Sequence, residues 1–241
     1  MFRTARSVTA GRVIIGRVIF APFLFIYIVC FFFLLAFLFV LVQIGIISYA
    51  FQALGLPPGL AFAALVVSLI GSYANVPVSR IESSTVHPLD VVGSFGVRYR
   101  LPRHLYRGYT TIAINLGGAV VPVLVSAYVL ARFPEAIIGA LFGTVIVTLV
   151  VHRFARAVPG LGIATPMLIP PIVAALAGYL LGGPHCVGVV AYVSGVMGTL
   201  IGADLMNLSK IADLGAPVAA IGGAGTFDGI FLTGIVAVLL S

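Results

Sequence analysis

Ile19-Phe-Ala-Pro-Phe-Leu-Phe-Ile-Tyr-Ile-Val-Cys30-Phe-Phe-Phe-Leu-Leu-Ala-Phe-Leu-Phe-Val-Leu41 is 23 residues without one charge. A helix rises about 1.5 Å per residue, so about 20 apolar residues cross the roughly 30 Å hydrocarbon core of a bilayer. The uncharged run continues to about Leu54 and follows Arg3, Arg6, Arg12 and Arg17. A signal peptide has an apolar stretch of only about 7–15 residues. This run is longer and has no A-x-A-like cleavage site, so it reads as an uncleaved first membrane helix.

The rest of the chain agrees with that opening. Of 241 residues, 61% are apolar and 8% are charged. A soluble domain has about 25% charged residues. The sequence therefore predicts a single all-α, polytopic transmembrane domain over residues 1–241, with the lipid bilayer as its solvent. The expected spans are Ile19–Leu41, Pro58–Asn75, Tyr109–Ala131, Ala136–Val151, Pro166–Leu181, Val187–Leu205 and Val218–Leu240.

The net charge of +7 does not indicate nucleic-acid binding. The basic residues lie between apolar runs, where topology accounts for them. With the N-terminus in the cytoplasm, seven spans place 12 of the 13 basic residues inside, and only Arg132 outside. Splitting the first run into two spans would leave 5 against 8. The positive-inside rule thus favours seven spans, N-in and C-out, in the cell membrane. Cys30 and Cys186 sit in different runs, so no disulfide is expected. No Cys/His spacing suggests a metal site, and no cofactor is implied.

Residues 82–107 form the one sizeable polar insert, between spans two and three. Its centre, Asp90-Val-Val-Gly-Ser-Phe-Gly-Val-Arg-Tyr-Arg100, alternates about a Gly-Ser turn and predicts a small cytoplasmic β-hairpin. The arginines around it suit anionic lipid headgroups.

The chain also hints at a 3+1+3 parallel repeat. Leu69-Ile-Gly-Ser-Tyr-Ala-Asn-Val-Pro-Val-Ser-Arg-Ile81 and Leu200-Ile-Gly-Ala-Asp-Leu-Met-Asn-Leu-Ser-Lys-Ile211 align with one gap. Each is followed by Gly-Gly-Ala, at Gly117 and at Gly222. Those separations, Gly71 to Gly117 and Gly202 to Gly222, differ by 26 residues, the length of the insert Glu82–Arg107.

Chemistry concentrates in the last two spans. Of the six acidic residues, Asp204 and Asp228 lie in or at the edge of apolar spans. A carboxylate at mid-bilayer costs at least about 2.5–3.5 kcal/mol, so both should face the protein interior or a wet cavity. Gly222, Gly223, Gly225 and Thr226 precede Asp228 and make a poor helix. Irregular backbone at membrane depth survives only against protein or water. The expectation is one polar cavity in which Asp204 and Asp228 act, lined by Asn75, Asn115, Asn207, Gly222, Gly223, Gly225 and Thr226.

Two resemblances attach to these residues. Gly202-Ala-Asp-Leu-Met-Asn-Leu208 and Ile221-Gly-Gly-Ala-Gly-Thr-Phe-Asp-Gly-Ile-Phe-Leu-Thr-Gly234 resemble the prokaryotic domain-of-unknown-function family 1614, over most of spans two to seven. That family carries over no activity. Asp204 and Asp228, on oppositely running spans joined by a cytoplasmic loop, also resemble the pair in intramembrane aspartyl proteases of the presenilin and signal-peptide-peptidase type. That likeness implies a catalytic dyad. Here Thr226 and Phe227 separate Gly225 from Asp228, where those proteases have Gly-x-Gly-Asp, and no Pro-Ala-Leu motif is present. The other readings of the same features are a proton- or cation-coupled transporter or channel with an Asp site at mid-membrane, and a non-catalytic membrane scaffold.

Overall fold

The computed structural model describes residues 22–82, 90–92, 98–100, 109–158, 162–211, 218–223 and 229–241. The chain divides into a first unit, Met1–Ile44, and a second, Gly45–Ser241. In the first unit, α1 (Pro22–Ala53) begins as one unbroken helix through the run that opens the analysis. Its side chains from Phe31 to Val42 are exposed, as an apolar helix in lipid requires.

The second unit takes up the tail of α1, where Ala50 and Phe51 are fully buried. Four helices follow at the positions where the sequence predicts spans two, four, five and six. They are α2 (Pro58–Gly71), α4 (Ile137–Phe154), α5 (Ile169–Leu181) and α6 (Val187–Thr199). Proline at the first position of α2 starts it without wasting an N–H. His152 and Arg153 in the last turn of α4 oppose its C-terminal dipole. Among the described residues, three stretches are long and apolar enough to cross a membrane: Val29–Ala53, Pro134–Phe154 and Val187–Lys210.

The expectation of an all-helical chain needs correction. Span two stops at Gly71, and Asn75–Glu82 is a strand, β1. Span three begins as strand β4 (Tyr109–Asn115), passes through a π turn at Leu116–Val120, and only then becomes α3 (Val121–Arg132). Span seven begins as strand β7 (Val218–Ile221), and its helix, α8, covers Gly229–Leu240. Val76, Val78, Thr110, Thr111, Ile112 and Ile114 are β-branched residues that suit strands better than helices. The three strands form one sheet in the order β1-β4-β7. β1 runs antiparallel to β4, with Asn75 opposite Asn115. β7 runs parallel to β4, with Ile221 opposite Ile114. Pairing satisfies backbone groups that lipid could not. In the insert, β2 (Asp90–Val92) pairs antiparallel with β3 (Arg98–Arg100), where the sequence predicts a hairpin. A second short ribbon, β5 (Arg156–Val158) with β6 (Gly162–Ala164), follows α4.

α6 is the central helix, buried almost throughout. Small residues let its neighbours approach. A Cβ on Gly198 would lie 2.5 Å from the Val147 Cβ of α4, and one on Gly202 2.5 Å from the Thr148 carbonyl oxygen. On another face, a Cβ on Gly234 of α8 would lie 2.8 Å from the Tyr192 ring. Phe51 joins this core, its ring centroid 6.5 Å from Tyr192 and 6.1 Å from Phe231.

Candidate functional site

Past Thr199 the helix loosens into a π turn at Leu200–Asp204, then a 3-10 turn at Leu205–Asn207 and a last short helix, α7 (Leu208–Ile211). π turns are rare and often mark functional positions. This one ends on Asp204, which is half-buried. Its Oδ2 accepts the N–H of Gly222 at 2.9 Å. Gly222 follows the last residue of β7 with φ +84°, and Gly223 comes next with φ +88°. A side chain is strained in that conformation. It would also be crowded, because a Cβ on Gly222 would lie 2.6 Å from the Ala119 Cβ. One carboxylate therefore fastens the loosened end of α6 to the turn that follows β7.

Asn115 is 1% exposed and holds a second junction. Its Nδ2 donates to the Ser72 carbonyl at 2.6 Å and to Asn75 Oδ1 at 3.0 Å. Its Oδ1 accepts the Gly118 N–H at 2.7 Å. The end of α2, the start of β1 and the π turn of span three meet on this side chain. Ser68 adds a bond from its hydroxyl to the Gly117 carbonyl, 2.7 Å.

Asn207, also 1% exposed, holds a third. Its Nδ2 donates to the carbonyls of Gly202 at 3.0 Å and Ala203 at 2.8 Å, and its Oδ1 accepts from Lys210 Nζ at 2.7 Å. His152 Nδ1 lies 3.3 Å from the Gly202 carbonyl and 3.4 Å from Asn207 Nδ2. Both Asn207 N–H groups are already directed at carbonyls, so the consistent assignment has His152 Nδ1–H donating to Gly202. His152 ties α4 to the broken end of α6.

The chain matches the family model described as Protein of unknown function (DUF1614) over residues 69–240. It belongs to that family. No curated protein and no solved structure matches, and the likeness to presenilin-type proteases gains no support from these comparisons.

The DUF1614 match takes in every residue of the three junctions except Ser68 and leaves α1 outside it. Within the match the expected site residues divide. Asp204 meets Gly222, and Asn115 meets Asn75, while Asn207 bonds to its own turn. Asn115 and Asn207 use their amides on backbone groups, so each works as a lock for a chain break. Asp228, Gly225 and Thr226 lie outside the described residues. Sequence reasoning missed His152, a lone imidazole in the last turn of an apolar helix; that position was its only signal.

Cys186 stands just before the first residue of α6, 3% exposed, with its Sγ donating to Glu135 Oε1 at 3.6 Å. Cys30 and Cys186 are both free thiols. Burial, then the Glu135 charge and hydrogen bond, push the Cys186 thiol above its usual pKa. The thiolate is the reactive form. In a Cys30→Ser background, maleimide labelling of the folded DUF1614 protein should be slower than that of a cysteine peptide at pH 7. It should still be rising past the ordinary thiol pKa of about 8.5. Glu135→Gln should speed it. Labelling at the peptide rate in the native protein would contradict this assignment.

Proposed function

We propose that this DUF1614 member is a membrane-embedded aspartyl hydrolase of peptides, with Asp204 and Asp228 as its acid–base pair. The observation that carries the reading is the Asp204–Gly222 bond. It anchors one carboxylate to the segment that bears the other, six residues before Asp228 and seven before the first residue of α8. Two close carboxylates share a proton. The ionised one takes a proton from water as the water oxygen attacks the carbonyl carbon, and the protonated one gives its proton to the carbonyl oxygen. Collapse of that diol breaks the C–N bond, and the proton passes to the leaving nitrogen. The chemistry needs no metal or cofactor. In this reading the chain crosses the cell membrane seven times with its N-terminus inside, and its arginine-rich insert lies against anionic headgroups.

The test is cleavage of single-span peptides by the full chain reconstituted in lipid, with fragments identified by mass spectrometry. Asp204→Asn and Asp228→Asn should each lower turnover by about 10²–10⁴-fold. Turnover that survives either substitution overturns the proposal.

One observation favours a second reading, a proton- or cation-coupled transporter. Spans three and seven are both broken, each with a strand leading into a half-length helix, and such breaks line sites in transporters. Gradient-driven flux in proteoliposomes that Asp228→Asn abolishes, without peptide cleavage, would select it.

A further inference from the structure

Among the described residues, three buried side-chain oxygens have no hydrogen-bond partner: Thr148 Oγ1, Tyr192 Oη and Thr199 Oγ1. Burying a hydroxyl without a partner costs free energy, and native proteins rarely leave one so unless something polar comes to it. A threonine in a helix can ordinarily satisfy itself on the carbonyl of the preceding turn. Thr199, 3% exposed at the last position of α6, does not.

Its position gives that hydroxyl a direction. Tyr192 and Gly195 lie on the stripe of α6 that packs on α8 and the edge of α5; a Cβ on Gly195 would lie 3.1 Å from Ala174 Cβ of α5 and 3.2 Å from Thr233 Cγ2 of α8, and one on Gly234 of α8 would lie 2.8 Å from the Tyr192 ring. Thr199 comes seven residues after Tyr192 and four after Gly195, so it continues the same stripe. The π turn then matters. In an α-helix, residues five apart point to different sides of the axis. A π turn bonds residue i to i+5 and so stacks them on one side. Leu200–Asp204 is such a turn, and it swings Asp204 round to the side of Thr199. Helical geometry thus sets Thr199 and Asp204 on one side of α6, and on that side Asp204 accepts the N–H of Gly222.

We propose that Thr199 is a positioning residue of this site, its hydroxyl holding the attacking water on the Asp204 side of α6. This rests on the hydrolase reading and deepens it. Thr148 is on α4, whose contact with Gly202 lies on another face of the turn, and Tyr192 is two helical turns farther from Asp204. Neither shares the combination of stripe and turn.

Two variants of the full chain in lipid test it. Thr199→Val keeps the shape and removes the hydroxyl; Thr199→Ser keeps the hydroxyl. Valine should lower kcat by at least about tenfold with KM little changed, because the lost contact is to water and not to the peptide. Serine should restore most of the rate. The thermal midpoint of Thr199→Val should equal or exceed that of the native chain, because the hydroxyl it removes has no protein partner. Native kcat in Thr199→Val, while Asp204→Asn and Asp228→Asn are inactive, overturns the role of Thr199 and leaves the hydrolase reading standing. Activity in the two Asn variants overturns both. A readout independent of turnover is a high-resolution experimental structure of the native chain. It should place a water about 2.5–3.0 Å from Thr199 Oγ1. A Thr199 hydroxyl bonded to a protein atom instead refutes the proposal.

Discussion

Alanine at Gly117 is expected to leave little folded protein. An added Cβ would collide with the Ser68 carbonyl oxygen and the Ser72 backbone nitrogen, and would lie 2.8 Å from the Gly71 carbonyl carbon. These are backbone atoms at the end of α2, so no rotamer change relieves the clash. The end of α2 and the π turn must separate. With them go the bond from the Ser68 hydroxyl to the Gly117 carbonyl and the Asn115 bond to Ser72. Overpacking alone costs about 1–3 kcal/mol, and the stranded buried groups add to it. The expected cost exceeds about 3 kcal/mol. In detergent, Gly117→Ala should give little monodisperse protein and a much lower unfolding midpoint. Gly59→Ala is the control, since a Cβ there meets nothing within 4 Å. Equal stability of the two variants would refute the packing argument.

The second large effect is expected at Asn115. Leucine there has nearly the same size and none of the polarity. It strands the Ser72 carbonyl and the Gly118 N–H, both buried at the junction. Each unsatisfied backbone group costs about 1–3 kcal/mol, so the variant should lose about 2–6 kcal/mol. Asn115→Asp separates the two halves of the amide. It keeps an acceptor for Gly118 and loses the donors to Ser72 and Asn75, so its midpoint should fall between those of the native chain and Asn115→Leu. A leucine variant that unfolds with the native midpoint would mean that the junction is held by packing alone.

These two positions also mark what could be read from the chain before its fold was known. The apolar runs were plain, because a charge in lipid is costly and each charge therefore bounds a run. The weak points were plain as well: Gly117-Gly118, Gly222-Gly223 and Asn75-Val-Pro77 all fall outside regular α-helix, in a π turn, after a strand and within a strand. What replaces helix there was not legible. Hydropathy reports the solvent a segment prefers and says nothing of its backbone. Short apolar runs such as Thr110–Ile114 fit a strand or a buried helix equally by pattern. The pairing of β4 with β7 depends on a partner far along the chain. For the site, Asp204 was singled out by its charge in an apolar setting. The tasks of Asn115, Asn207 and His152 were hidden, because each is defined by the carbonyl it meets and not by its own neighbours in sequence. Their amides and imidazole read as ligands in waiting until the backbone groups they satisfy were in place.

The parallel pair has a consequence for how the chain is made. Ile114 and Ile221 face each other across 107 residues of sequence. A ribosome delivers β4 long before β7 exists, so the edge of β4 that β7 will pair with must wait for its partner while α4, α5 and α6 are still being made. Synthesis that stops before Val218 would leave that edge open for good and Asp204 without its Gly222. Quality-control machinery that recognises unpaired strands would therefore have a direct way to tell a truncated chain from a finished one.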